Sequence, residues 1–300
     1  MKQISRNEFY DIINTNLENK KILSSRHFVF ELTLNDSEVV SLIKIPCMHK
    51  NIKIAVCDYN NNFFLLGNMS GFCKIYDYKT RIEIDRFELR YEPFLNNILL
   101  LDDGFIFIDK KGDIQKFSIY QKKFEKVDSF PRKISAIFRA IDGFFCISNL
   151  SSGEQRYSII SIKSMYNTKS ISIQGWLWLC KASSDKQNLL ICLNRNKGKG
   201  IVQEIFSVSS DLLCKHIISI DDYQNSEDGY FKSFSLSPDN KKIALLWNNC
   251  LKIFDLSKEK ITEKVSLKYA SDVEWISCDS LLVATWRGLY RFKEDRGRLA

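Results

Sequence analysis

The sequence predicts an all-β fold: a single β-propeller of six to seven four-stranded blades, with a short N-terminal helix and closure between N- and C-terminal strands. Three observations lead there. From Arg26 onward the apolar pattern takes the period of two that marks half-buried strands. Strand-like segments then recur about every 40 to 50 residues, the blade period of a propeller. The last repeat stops one strand short, near Arg291, so a strand from the start of the chain is needed to complete its sheet and remove an open edge.

Taken in order, residues 5 to 20, SRNEFYDIINTNLENK, read as a helix. Ser5 and Glu8 fit a capping box, each satisfying a backbone N–H of the first turn. Phe9, Ile12, Ile13 and Leu17 share one face at helical spacing. The chain therefore divides into an N-terminal helical extension, 1–25, and a propeller, 26–300. His27 to Leu34 and Glu38 to Ile45 are strands joined by the turn Asn35-Asp36-Ser37; they complete the sixth blade or belong to a seventh.

Six repeats follow. Second strands are expected at Asn62 to Gly67, Phe105 to Asp109, Phe144 to Ser148, Leu189 to Leu193, Lys242 to Trp247 and Leu281 to Trp286. Third strands begin near Gly71, Asp113, Gln155, Ile201, Leu251 and Leu289. Polar or glycine-bearing turns separate each pair, including NMSG, KKGD and NRNKGKG. Fourth strands are expected at Ile82 to Leu89 and Ile261 to Leu267.

The most complete repeat is Phe234 to Lys258, FSLSPDNKKIALLWNNCLKIFDLSK. Ser237-Pro238-Asp239-Asn240 is a turn in which Pro presets φ and Asp and Asn supply side-chain turn bonds. Ile243 to Trp247 is a near-continuous apolar run, as in a strand buried on both faces. This stretch resembles a WD40 repeat, with Asn240 where Gly is usual and Phe254-Asp255 where Trp-Asp is usual. Tyr76-Asp77 takes the same place in an earlier repeat. The resemblance spans roughly residues 42 to 293. The Gly-His dipeptide of that family is missing, and three histidines cannot supply its His–Asp–Ser/Thr–Trp network. Blade closure is therefore expected to rest on apolar packing.

Composition narrows the function. The first residues show no long apolar core behind the basic one and are not expected to act as a secretory signal, and no apolar run approaches the length of a membrane span. Nine cysteines, an odd number without a CxxC pair, are scattered through apolar runs, which suggests reduced thiols and a cytoplasmic location. The net charge of +8 is dispersed rather than gathered in a stripe, so nucleic acid is not the expected partner.

Chemistry-bearing motifs are sparse. His27, His49 and His216 are far apart, and no GxGxxG, P-loop, HExxH or GxSxG occurs. Gly67 to Gly71 lies between two strands and reads as a hairpin. Asp102-Asp103 falls in the turn between a first and second strand, and Asp221-Asp222 opens a polar loop. No catalytic residue, metal ligand or cofactor is assigned, and the chain is not read as an enzyme.

What remains is a binding surface. In a propeller the hairpins between second and third strands share one face with the connections that lead from one blade to the next. That rule places Arg90, Tyr91, Arg132, Trp176, Arg195, Lys197, Tyr223, Tyr230, Tyr269, Trp286 and Arg287 on one rim. Aromatic and arginine side chains are the types that dominate interface energetics. The expectation is a monomer that binds one protein partner, with a toxin domain neutralised by an immunity- or antitoxin-like inhibitor as the specific form. A scaffold subunit of a multiprotein complex, or a nucleic-acid binder using the basic loop 194–200, are the alternatives.

Overall fold

The period-two pattern is realised as seven antiparallel sheets. The computed structural model describes all residues except 7–8, 10, 15–18, 26–27, 46–53, 60–62, 69–71, 89–97, 102, 109–112, 122, 129–133, 141–142, 152–155, 165–166, 184–185, 198–199, 221–223, 226 and 294–300. Blade 1 holds Asp11–Asn14, Lys20–Ser24, Val29–Asn35 and Glu38–Ile45. Blade 2 holds Ile54–Tyr59, Phe63–Asn68, Phe72–Asp77 and Glu83–Glu88. Blade 3 runs from Ile98–Leu101 through Gly104–Ile108 and Ile114–Ser118 to Lys123–Asp128. Blade 4 is Ile134–Ala140, Gly143–Ser151, Arg156–Ser164 and Asn167–Gln174, and blade 5 is Trp176–Ala182, Asn188–Lys197, Gly200–Ser209 and Cys214–Ile220. Blade 6 comprises Gly229–Leu236, Lys242–Trp247, Cys250–Asp255 and Lys260–Ser266, with the two-residue strand Gln224–Asn225 added inside the first. Blade 7 comprises Ala270–Ser277, Ser280–Thr285 and Gly288–Lys293, and its outermost strand is Lys2–Ser5. The fold class is a seven-bladed β-propeller.

Sequence-expected second, third and fourth strands coincide with observed ones to within a few residues at each end. The asparagine in the SPDN turn explains how glycine is dispensed with: Asn240 sits at φ 56°, a left-handed conformation that asparagine tolerates better than most residues. The turn is closed by Ser237, whose Oγ accepts from the Lys242 N–H at 2.9 Å and donates to Asp239 at 2.7 Å.

The N-terminal helix is a correction. Residues 5 to 20 contribute the end of Lys2–Ser5, all of Asp11–Asn14 and the start of Lys20–Ser24, and no helix occurs among the described residues of 1–25. The apolar positions that suggested a helical face are used differently. Phe9 and Ile12 are buried in a cluster with Leu23, Phe30, Leu32, Leu282, Ala284 and Leu289. The Phe9 N–H donates to Thr285 O at 3.0 Å, and the Ile12 N–H to the Asp272 carboxylate at 2.9 Å. Partners some 260 residues away thus override a local helical preference. The strand that completes blade 7 is Lys2–Ser5 rather than the pair near 27–45, and that pair belongs to blade 1.

The chain separates into two compact units: blades 1, 6 and 7 (Met1–Asn14, Glu18–Lys50, Asp222–Ala300) and blades 2 to 5 (Thr15–Leu17, Asn51–Asp221). Within each, successive blades share an apolar layer. Blades 2 and 3 interdigitate Phe63, Leu65 and Ile75 with Leu100, Phe105 and Phe117. Blades 6 and 7 do the same with Leu246, Leu251 and Ile253 against Val273, Trp275 and Leu281. Second strands have neighbours on both faces, which is why Gly104–Ile108 and Ser280–Thr285 are buried throughout and read as continuous apolar runs. Outermost strands such as Lys260–Ser266 alternate with solvent.

Apolar packing is joined by a polar network that the sequence reading did not anticipate. On the first strands of blades 6 and 7, the Ser233 hydroxyl donates to Asp272 at 2.5 Å and the Ser235 hydroxyl to Glu274 at 3.2 Å. The Trp275 indole N–H donates to Ser235 O at 3.0 Å. Asp272 also accepts from the N–H of Ile12 in blade 1, so one buried carboxylate ties three blades together.

Candidate functional site

In the unit of blades 1, 6 and 7, the loops at one end of the sheets are held by backbone hydrogen bonds. Asn248 and Asn249 form the hairpin tip of blade 6. Asn248 N–H donates to Tyr230 O at 2.9 Å, Asn249 N–H to Asp228 O at 2.9 Å, and Leu267 N–H to Asn249 O at 2.8 Å. One blade on, Trp286 N–H donates to Tyr269 O at 3.1 Å. The hairpin carrying Trp286 and Arg287 is tightened by Thr285, whose Oγ accepts from the Arg287 N–H at 3.0 Å and donates to Gly288 O at 2.9 Å.

These constraints set side chains at defined positions. Tyr269 and Trp286 lie ring over ring, centroids 6.0 Å apart and planes 4° from parallel. The Arg287 guanidinium stands 4.9 Å from the Tyr269 ring, within cation–π range. Tyr269 remains 42% exposed, Trp286 52% and neighbouring Tyr230 62%. Tyr269 is at φ 57°, a left-handed conformation that costs a bulky residue on the order of 1 kcal/mol. A strained residue whose large ring faces water is not explained by core packing.

A carboxylate supports this loop cluster from below. Lys252 and Lys264 are directly opposite each other on adjacent strands, an arrangement that repels unless an anion lies between them. Buried Asp228 is that anion, 2.6 Å from Lys252 and 3.2 Å from Lys264. Burial pushes its pKa up, but the two ammonium groups outweigh this and hold the carboxyl below its ordinary range. The pairing that sets Lys252 opposite Lys264 is the signal for this carboxylate.

In the unit of blades 2 to 5, Trp176 and Arg195 line one cleft of about 300 Å³ with Gln174, Asn194 and Asn196. Lys197 ends the second strand of blade 5, paired with Gly200 across the hairpin tip of the basic loop. The structure thus groups Tyr269, Trp286 and Arg287 beside Tyr230 in one unit, and Trp176 with Arg195 in the other. Arg90, Tyr91, Arg132 and Tyr223 lie outside the described residues, as do His27, His49, Asp102 and Asp221-Asp222. Asp103 is in the expected turn and pairs with Lys116 at 2.7 Å. His216 is on the outermost strand of blade 5, within 3.1 Å of the Ser219 hydroxyl. Among the described residues no group of three or more His, Cys, Asp or Glu is placed to hold a metal, and no helix is long and apolar enough to cross a membrane.

No protein-family model matches the chain, and no curated protein matches it in sequence. Solved structures do match in shape. The β-propeller domain of Cps50 (Swd1) from Myceliophteria thermophila superposes with a TM-score of 0.68 at 12% identity, covering 97% of this chain and 99% of that one. A chain of hydrazine synthase from Kuenenia stuttgartiensis superposes with a TM-score of 0.66, also at 12% identity, covering 99% and 98%. At such identity the likeness speaks for the fold alone, and the chain has the fold of a WD40-like seven-bladed β-propeller.

Proposed function

We propose that this protein is a non-catalytic binding module that holds one protein partner on the loop end carrying Tyr230, Tyr269, Trp286 and Arg287. The observation that carries this reading is the stacked Tyr269–Trp286 pair with Arg287: three residues of the hot-spot type, half-exposed, yet fixed by backbone hydrogen bonds at both loops. Side chains ordered before binding lose little freedom on contact, which is how a small cluster supports tight association. Nearby Asp228 is more than balanced by its two lysines, so the cluster offers aromatic area beside a modest positive charge and no free carboxylate from Asp228.

The specific form we favour is an inhibitor of the immunity or antitoxin kind, which acts by covering the active site of a toxin. A module with no assigned catalytic groups acts by occupancy, and blocking one partner is the simplest such action. The test is affinity capture of the tagged protein from its native cytosol, with the captured partner then assayed for activity. One stoichiometric partner retained at high salt, and inhibited by an equimolar amount of this protein, supports the reading. Several co-retained subunits would replace it with a scaffold role. A single partner whose activity is unaffected would remove inhibition while leaving binding intact.

A further inference from the structure

The cleft in the unit of blades 2 to 5 has a composition of its own. Trp176, which lines it, and Trp178, two residues on in the first strand of blade 5, are 56% and 51% exposed. Two large rings left in water on one strand are unusual for a packed sheet. A β-bulge falls between Leu177 and Leu179, leaving Trp178 without a cross-strand partner. Gly175, at φ 138°, brings the chain in: a Cβ there would meet Leu193 Cβ at 3.2 Å and Arg195 Cγ at 3.5 Å.

Among the described residues the cleft's lining includes one charged group, Arg195. The Arg195 guanidinium is 3.1 Å from Glu204, whose side chain is almost fully buried, and it stands 5.4 Å from the Phe206 ring. Its charge is already balanced and its position fixed. Around it are the carboxamides of Gln174, Asn194 and Asn196. Asn194 is itself oriented from behind, its Oδ1 accepting from Gln203 Nε2 at 3.0 Å. Gln203 is fully buried, and its Oε1 has no hydrogen-bond partner among the described residues.

An indole face beside several amides and a neutral guanidinium–carboxylate pair matches a ligand with a C–H face to stack and many hydroxyls that both donate and accept. An anion would have to compete with Glu204 for Arg195. We infer that this cleft, formed by Trp176, Gln174, Asn194, Arg195 and Asn196, is a binding site for a neutral saccharide. The site shares no residue with the Tyr269–Trp286 cluster, so either assignment can fail without the other.

The test is a titration of the full-length protein with maltotriose, cellotriose, chitotriose and mannotriose, followed by tryptophan fluorescence, with AMP as the anionic aromatic control. At least one trisaccharide is expected to bind saturably, and Trp176→Ala to weaken it by roughly tenfold or more. Trp176→Tyr should retain much of that binding, and Trp286→Ala should leave it unchanged. Asn196→Ala, at an exposed position, keeps the test intact if Trp176→Ala does not fold. The inference is overturned if no trisaccharide binds at about 10 mM, if Trp176→Ala and Asn196→Ala both bind as wild type does, or if AMP alone binds.

Discussion

Single residues in this protein show what their local chemistry is for. Asp255, in the place of the repeat's usual Trp-Asp aspartate, accepts from the Ser257 hydroxyl at 2.6 Å and from the Ser257 and Lys258 N–H groups at 2.9 and 3.1 Å. Asp77 does the same work in blade 2, accepting from the Thr80 N–H at 2.7 Å and its hydroxyl at 2.8 Å. These bonds, the Ser257 hydroxyl first for Asp255 and the Thr80 N–H first for Asp77, hold both carboxyls below their ordinary range. The dipeptide position is thus a turn cap, and it works here without the tryptophan usual in WD40 repeats. Asp228 is depressed as well, against the opposing effect of its burial. A carboxyl with a lowered native pKa contributes stability that is present above its unfolded value and is lost as pH falls through the native one. Asp228→Asn is therefore expected to lower thermal stability at neutral pH and to make its decline below about pH 4 shallower than in wild type. Thermal unfolding followed from pH 7 to 2.5 measures both; parallel curves for the two proteins would contradict the assignment. Tyr269 gives a prediction of a different kind. Tyr269→Gly removes the ring and the left-handed strain together, so stability should change by less than about 1 kcal/mol while partner capture is lost.

At the scale of strands, closure is the decisive event. Lys2–Ser5 completes blade 7 through pairs from Lys2 with Arg291 to Ser5 with Leu289, and Gln3 Nε2 reaches the Arg287 carbonyl at 3.3 Å. At Gly288, φ 153°, a Cβ would meet Ser5 O at 2.3 Å, so this approach requires glycine. Deleting residues 1–6 should expose the edge of Gly288–Lys293, lower thermal stability and produce concentration-dependent association, readable by calorimetry and light scattering. A truncated protein that stays monomeric with unchanged stability would contradict this. Asp272→Ala should cost about 3 kcal/mol in denaturant unfolding, because the buried Ser233 hydroxyl and Ile12 N–H lose their acceptor. The repeats were legible because most second strands carry a near-continuous apolar run, as at Ile243 to Trp247, and turns such as Ser237 to Asn240 carry their own punctuation. Residues 5 to 20 were not, since Phe9, Ile12 and Ile13 fit a helical face as well as short strands. What decided between them was pairing with Thr285, Asp272 and Leu289, which no local window contains. The Ser233–Asp272 and Ser235–Glu274 pairs were hidden for the same reason.

For the molecule as a whole, the rim was legible as a set of residue types and only in part as a place. The rule that hairpins and blade connections share one end brought Tyr230, Tyr269, Trp286 and Arg287 together in one unit. It gave no sign that Tyr269 and Trp286 stack, because stacking depends on the left-handed turn at Tyr269 and the hydrogen bond from Trp286. Nor did it show that Trp176 and Arg195 have carboxamides and an ion pair around them. Dispersed positive charge remains compatible with a protein partner held by aromatic contact, and such binding should depend little on salt. The most direct measurement is a side-by-side capture from a lysate of the native cells with wild-type protein and the Tyr269→Ala/Trp286→Ala double variant, washed at high salt and quantified by mass spectrometry. The account predicts one protein retained near equimolar amounts by wild type and reduced by about 30-fold or more with the variant, the effect of a hot spot worth about 2 kcal/mol. Equal retention by both proteins would contradict it.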